Sequence, residues 1–284
     1  MKLNIQHQTT YRYAQPVAFQ PHRLMITPRS GHGLRTLSTS LTTSPRATLD
    51  WGQDVFGNLV TTATFAEPAC ELIITSEATV DQSAAPYPVF GIAPYAHSYP
   101  FEYTVEDRID LGAMLLADIE LDQSVSKWAS GFVRGRSTDS LALLKDINAG
   151  VLTNVAYRTR DEEGTQTARE TLELASGSCR DIAALFIDTV RLLGFGARAV
   201  SGYLYDPDVP TCDPGSTHAW TEVYLPQAGW IAFDPTHRRV GEACLIPVAI
   251  ARSNAQIMPI TGGFIGHEND FTEMSVDVQV KNAD

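Results

Sequence analysis

Three residues in this 284-residue chain are of the types that attack a carbonyl, carry a proton and orient the proton carrier: Cys179, His218 and Asp234. A thiol attacks as its thiolate, which needs an imidazole nearby, and the imidazole needs an acceptor to fix its ring. Cys179 lies in the segment SGSCRDIAALFIDTVRLLGF, where Ser178 followed three residues later by Asp181 has the form of a capping box. The segment predicts a helix opening at Cys179, with unsatisfied backbone N–H groups around the sulfur. The positive end of such a helix favours thiolate over thiol, and its free N–H groups can hold the oxyanion of a tetrahedral intermediate. Gly177, without a side chain, is expected to leave room for a substrate carbonyl.

The base and its partner are offered by THAWTEVYLPQAGWIAFDPTH. His218, Trp220, Glu222 and Tyr224 fall on one face of a strand, Pro226 to Gly229 form a turn, and Trp230, Ala232 and Asp234 share a face of the next strand. For His218 and Asp234 to lie on the same side, paired residue numbers must sum to an even value, as when Trp220 stands opposite Asp234 across a five-residue loop. The two are then diagonal neighbours with backbones about 7 to 8 Å apart, within side-chain reach. Pro235 ends the ladder just after the carboxylate.

The other thiols, Cys70, Cys212 and Cys244, lack a comparable helix start and read as small apolar residues or loop positions. His7, His22, His32, His97, His237 and His267 have no cysteine helix to serve, and His237 falls just past its strand. Cys212, His218 and His237 as a metal set match no zinc spacing, and Asp206, Asp208 and Asp213 read as a solvated turn rather than a calcium loop. No metal or cofactor is assigned.

The elements that must position these groups follow from the hydrophobic pattern. Leu3, Ile5, His7, Thr9, Tyr11 and Tyr13 alternate with mostly polar neighbours, and Leu59–Phe65 and Leu72–Val80 are rich in β-branched residues. Residues 1–105 are therefore expected to form an antiparallel β-sandwich. Residues 106–245 form the α+β core: a helix over Leu141 to Val155 capped by Ser137, Thr138 or Asp139, the buried cysteine helix, then strands over Arg198–Leu204, Ala219–Leu225 and Trp230–Phe233. Residues 246–284 read as a C-terminal extension ending in a strand around Met274 to Val280.

Composition narrows the partners. The chain is 44% apolar, its densest apolar run is Ile182 to Ile187, and the N-terminal MKLNIQHQTT has no apolar stretch of leader length, so a cytoplasmic location is expected. The four cysteines show no C-x-x-C spacing and suit reduced thiols. With 33 acidic against 21 basic residues and a net charge of −12, the surface is expected to repel nucleic acid and anionic membranes; a protein or peptide substrate is expected from the acyl-transfer chemistry of Cys179, His218 and Asp234.

The two chemistry-bearing blocks, in the order Cys, His, Asp, resemble the transglutaminase-like superfamily, in particular its bacterial cysteine-protease type. HQTTYRYAQPV, HRLMITPR and DVFGN are similar to the β-domain that precedes the core in those proteins, and VAIARSN, MPITGGFIG and MSVDVQV to their C-terminal extension. The resemblance implies a papain-like core, with a cysteine helix packed on an antiparallel sheet that bears His218 and Asp234. It carries Cys179 over as nucleophile, His218 as base and Asp234 as orienting group, and implies cysteine-dependent amide hydrolysis or acyl transfer through a thioester. A non-catalytic peptide-binding module on the same fold is the alternative. Ser178, Arg180 and Trp220 flank these groups as oxyanion or site-lining candidates. The tryptophan that supplies a second oxyanion donor in animal transglutaminases has no counterpart near enough, since Trp128 lies far upstream.

Overall fold

The computed structural model describes residues 1–117, 123–135, 137–160, 162–205 and 217–283; Cys212, Asp206, Asp208 and Asp213 lie outside the described residues. Six strands open the chain: β1 (Lys2–Phe19), β2 (His22–Leu24), β3 (Leu34–Ser44), β4 (Ala47–Gln53), β5 (Leu59–Phe65) and β6 (Ala69–Gln82). Helices α1 (Val105–Leu111), α2 (Gln123–Ser130), α3 (Ser140–Asn154), α4 (Ala168–Leu174) and α5 (Cys179–Leu192) follow. Strands then return as β7 (Ala197–Leu204), β8 (His218–Leu225), β9 (Gly229–Asp234), β10 (Arg239–Val240), β11 (Leu245–Ala251), β12 (Ile260–Thr261), β13 (Phe264–Ile265) and β14 (Phe271–Asn282).

The alternation along β1 and β6 turns Tyr13, Val17, Leu72 and Ile74 toward Leu24, Ile26 and Ala63 of the facing sheet, which gives the expected sandwich. One sheet runs β13-β1-β6-β3 and the other β12-β2-β5-β4. The terminal strand β14 pairs antiparallel with β1 from Leu3↔Asn282 to Tyr13↔Phe271, so it completes the first sheet rather than the core. Its alternation identified a strand, but alternation alone carries no information about the partner.

The core sheet has the order β10-β9-β8-β7-β11, and β11 contributes residues 245–251 to it. Helix α5 packs on one face of this sheet: Phe186 stacks on Phe233, and Thr221 Oγ1 donates to the Ala183 carbonyl. Asp139 is the cap of α3, accepting the Ala142 N–H at 2.7 Å. The two parts share one buried cluster in which Leu3, Ile5 and Val80 of the first sheet meet Leu185, Tyr203 and Ile246 of the core.

The N-terminal motifs serve this junction. In DVFGN, Asp54 Oδ1 accepts the N–H groups of Phe56 and Asn58 and so shapes a tight turn. That turn presents the fully buried Asn58 to the edge strand β11, where its side chain accepts the Ile250 N–H at 2.9 Å and donates to the Ile250 carbonyl at 2.7 Å. An amide side chain thus stands where another strand would pair. Arg29, from HRLMITPR, bonds Asn58 Oδ1 and donates its backbone N–H to the Pro247 carbonyl at 2.8 Å.

Candidate active site

Helix α5 begins at Cys179, with Asp181 anchoring its first turn. The fully buried Asp181 carboxylate accepts the Ser178 N–H at 2.8 Å, the Ser178 hydroxyl at 2.7 Å and the Gln166 N–H at 2.8 Å, and pairs with Arg160 at 2.9 Å. Burial alone would raise its pKa; these donors overcome that and hold it below the usual carboxylate range. Gly177 has a different use from the expected one. A Cβ there would lie 2.8 Å from the Asp181 Cβ, so the missing side chain makes room for Asp181 and not for substrate.

Strand β8 brings in the imidazole. The pairs Thr221↔Phe233 and Leu225↔Gly229 fix an even register, with the last paired residues separated by three residues rather than the expected five-residue loop. Thr221, Val223, Ile231 and Phe233 consequently face α5, while His218, Trp220 and Asp234 take the alternate positions. His218 Nε2 lies 2.8 Å from Asp234 Oδ2, and both side chains are buried. An ionised carboxylate only accepts, so His218 carries its proton on Nε2 and leaves Nδ1 to the thiol. Trp220 lies nearly parallel to the His218 ring, with centroids 5.9 Å apart. It can stay there because Gly202 stands opposite His218 on β7: a Cβ at Gly202 would meet the Trp220 ring at 2.8 Å and run into the Ile246 carbonyl oxygen.

Electrostatics couple the three groups. Burial pushes the Cys179 thiol up, but the hydrogen bond and charge of His218, with the Ala219 N–H, outweigh it and the thiol sits below its ordinary value. Burial likewise opposes a charged His218, yet the charge and hydrogen bond of Asp234 raise its basicity well above the usual histidine range. For Asp234, burial favours the neutral acid, and His218 followed by His237 reverses that and holds it ionised. The arrangement therefore favours a thiolate beside an imidazolium more than a free cysteine would.

The flanking candidates have other employment. The Ser178 hydroxyl and N–H are both spent on Asp181. Arg180 donates to the carbonyls of Glu162 and Gly164 and so pins the loop before α4 instead of pointing a cation at an oxyanion. Its own carbonyl accepts from Asn254 Nδ2 at 2.7 Å. Trp128 packs edge-on against Phe132 in the helical layer. Cys70 is exposed and Cys244 half-buried, and neither is in a disulfide.

Sequence reasoning passed over His237. Its Nδ1 lies 2.9 Å from Asp234 Oδ2, so His218, Asp234 and His237 present their ligand-type atoms within 4.8 Å of one another. The available signal was the spacing: three residues across a Pro-containing turn bring a side chain back to the carboxylate. A cavity of about 1580 Å³ lies elsewhere, between the first sheet and the core, with Tyr11, Tyr13, Arg160, Arg180, Asp188 and Phe264 among its walls. Cys179, His218 and Asp234 do not line it; Arg180, Asp188 and Ala184 turn a different face of α5 toward this groove than the one that meets the sheet.

A helix headed by a thiol and laid on an antiparallel sheet is the architecture of the papain-like fold. Within that class the chain belongs to the transglutaminase-like superfamily: the description "Bacterial transglutaminase-like N-terminal region" matches residues 3–81 and "Transglutaminase-like superfamily" matches residues 126–235. An uncharacterized protein of Mycobacterium tuberculosis is 28% identical, covering 98% of this chain and 92% of its own length. One of Mycobacterium leprae is 23% identical, with 98% of each covered. A crystal structure titled as that of a "Putative Cysteine Protease" from Cytophaga hutchinsonii superposes with a TM-score of 0.77 at 21% identity, covering 100% of this chain and 92% of that one, and shares the fold.

Proposed function

We propose that the protein is a cysteine-dependent amide hydrolase or acyltransferase acting on a protein or peptide substrate, with Cys179 as nucleophile, His218 as acid and base, and Asp234 as the orienting group. The observation that carries this reading is the buried His218–Asp234 pair facing a thiol at the head of a helix. The Cys179 thiolate attacks an amide carbonyl carbon, and its own N–H in the first turn stabilises the oxyanion. As the C–N bond breaks, the leaving amine takes the proton from the His218 imidazolium, leaving a thioester. Water or a second amine, deprotonated by His218, then attacks the thioester, and the sulfur departs as thiolate.

Alkylation tests the first step. Iodoacetamide should modify Cys179 rapidly well below pH 8, and His218→Ala should slow this at neutral pH toward the rate of a free thiol of pKa about 8.5. Free-thiol behaviour in both proteins refutes the paired thiolate. The reaction is then read by offering wild type and Cys179→Ala a glutamine-containing peptide library with and without a labelled primary amine. Amine incorporation identifies transfer, peptide cleavage a protease, and ammonia alone a deamidase. The separate groove favours one second reading, a non-catalytic peptide-binding module: Cys179→Ala would then bind the same peptides as wild type, and neither protein would change them.

A further inference from the structure

We propose that His237 is a positioning residue of this site, a second imidazole that shares Asp234 Oδ2 with His218, holds the carboxylate in place and thereby sets how much of Cys179 is thiolate. The inference rests on the triad reading above and adds a residue to it.

Asp234 is 1% exposed and accepts four hydrogen bonds, two of which come from His237. Oδ1 takes the N–H groups of Thr236 and His237 at 3.1 and 3.2 Å. Oδ2 takes His218 Nε2 at 2.8 Å and His237 Nδ1 at 2.9 Å. Because the carboxylate can only accept, His237 must carry its proton on Nδ1. The two rings stand edge to face, 5.0 Å between centroids and 70° between planes, so they approach one oxygen without competing for one space.

Two consequences follow. With Oδ1 fixed by backbone and Oδ2 by a side chain other than His218, the carboxylate cannot rotate out of line with the imidazole it orients. The His237 side chain, 35% exposed where Asp234 is 1% exposed, also stands between the carboxylate and solvent. Excluding water keeps the local dielectric low, so the Asp234 charge acts strongly on His218. A shared oxygen also has an opposing effect, since a second donor withdraws some of the electron density offered to His218. That loss is a fraction of one neutral hydrogen bond, whereas solvating the carboxylate weakens the whole interaction with the imidazolium. The net effect of His237 is therefore to raise the basicity of His218.

The test uses the full chain and variants His237→Ala and His237→Asn, with iodoacetamide alkylation of Cys179 followed from pH 5 to 9 and thermal melting as a check on folding. In Asn, Nδ2 occupies the place of Nδ1 relative to Cβ, so the amide can restore the lost donor. His237→Ala should alkylate about tenfold more slowly than wild type at pH 6, the loss expected for one hydrogen bond to a charged group. His237→Asn should return to within about twofold of wild type, as expected when that donor is restored. An unchanged or faster rate in a folded His237→Ala, or His237→Asn behaving as His237→Ala, overturns the proposal. These outcomes are distinct from failure of the triad itself, which appears as ordinary thiol reactivity in the wild-type protein.

Discussion

Replacing Asn58 by alanine should destabilise the protein by about 3 kcal/mol through a contact far from any chemistry, as two orphaned buried groups at 1 to 3 kcal/mol each imply. The Asn58 amide accepts the Ile250 N–H and donates to the Ile250 carbonyl, and it also bonds Asp54 Oδ2 and Arg29. All of this occurs at 0% exposure. Truncation leaves the Ile250 N–H and C=O without partners on the covered edge of β11, and leaves Arg29, half-buried and already of lowered pKa through burial, without its amide acceptor. Water entering the small cavity would recover part of the loss, which keeps the figure nearer 3 than 5 kcal/mol. For a chain of this size about 3 kcal/mol corresponds to a fall of roughly 6 to 10 °C in Tm. The assay is urea unfolding followed by far-ultraviolet circular dichroism, with Asn58→Asp as a second variant. The aspartate keeps the Oδ1 acceptor for the Ile250 N–H and Arg29 but sets a carboxylate oxygen against the Ile250 carbonyl and Asp54, so it should be at least as destabilised as the alanine variant at pH 7. Either variant melting within 1 °C of wild type would show that Asn58 does not hold the two parts together.

Acid should weaken the same junction through His7. This ring is buried between Tyr203 and Thr9, and burial lowers its pKa from 6.5 to about 4. A histidine neutral in the fold and free to protonate when unfolded contributes stability that is present above about pH 6.5 and is lost as pH falls toward 4, up to about 3 kcal/mol. His7→Gln should flatten that part of the urea stability profile between pH 7 and 4.5, and an unaltered slope would refute the assignment. Gly202→Ala should cost about 3 kcal/mol, because the methyl meets the Ile246 carbonyl and the Trp220 ring. Any folded fraction should also lose fast Cys179 alkylation as His218 is displaced, and wild-type melting and reactivity together would contradict the packing argument. Asp181→Ala should leave Arg160 and the Gln166 N–H without their shared acceptor and increase proteolytic cutting in residues 160–167, seen as new fragments under limiting protease.

Much of the site was legible because its determinants are local. The Ser178 and Asp181 pair announces a helix start, and the alternation around His218 and Asp234, with the even-register requirement, is settled by residues within one hairpin. Leu59–Phe65 was likewise bounded correctly, since its β-branched run ends in turn formers on both sides. What the pattern could not carry was partner choice. Strand β14 alternates as any half-exposed strand does, and only the open edge of β1 explains where it pairs. Gly177 and Arg180 were misread for the same reason: their neighbours, Asp181 packed against the missing Cβ and the carbonyls of residues 162 and 164, are set by how the loop folds back over α5. His237 was within reach of sequence reasoning, but a histidine beyond a strand end has no periodicity to mark it.

The charge arithmetic around Cys179 explains why so many neutral donors converge there. Two buried carboxylates, Asp181 and Asp234, flank a thiol whose proposed working form is a third anion. Arg160 neutralises Asp181 by direct pairing at 2.9 Å, so that anion adds little to the field at the sulfur. Asp234, His218 and Cys179 in the thiolate state carry one net negative charge, and Asp234 by itself opposes ionisation of the thiol. The excess charge is spread over dipoles: the head of α5, the Ala219 N–H, the Thr236 and His237 N–H groups and the His237 ring. Each of these donors leaves the net charge unchanged and shifts the balance between thiol with imidazole and thiolate with imidazolium. Loss of any one should therefore appear first as slower thiol alkylation at neutral pH, before any loss of fold.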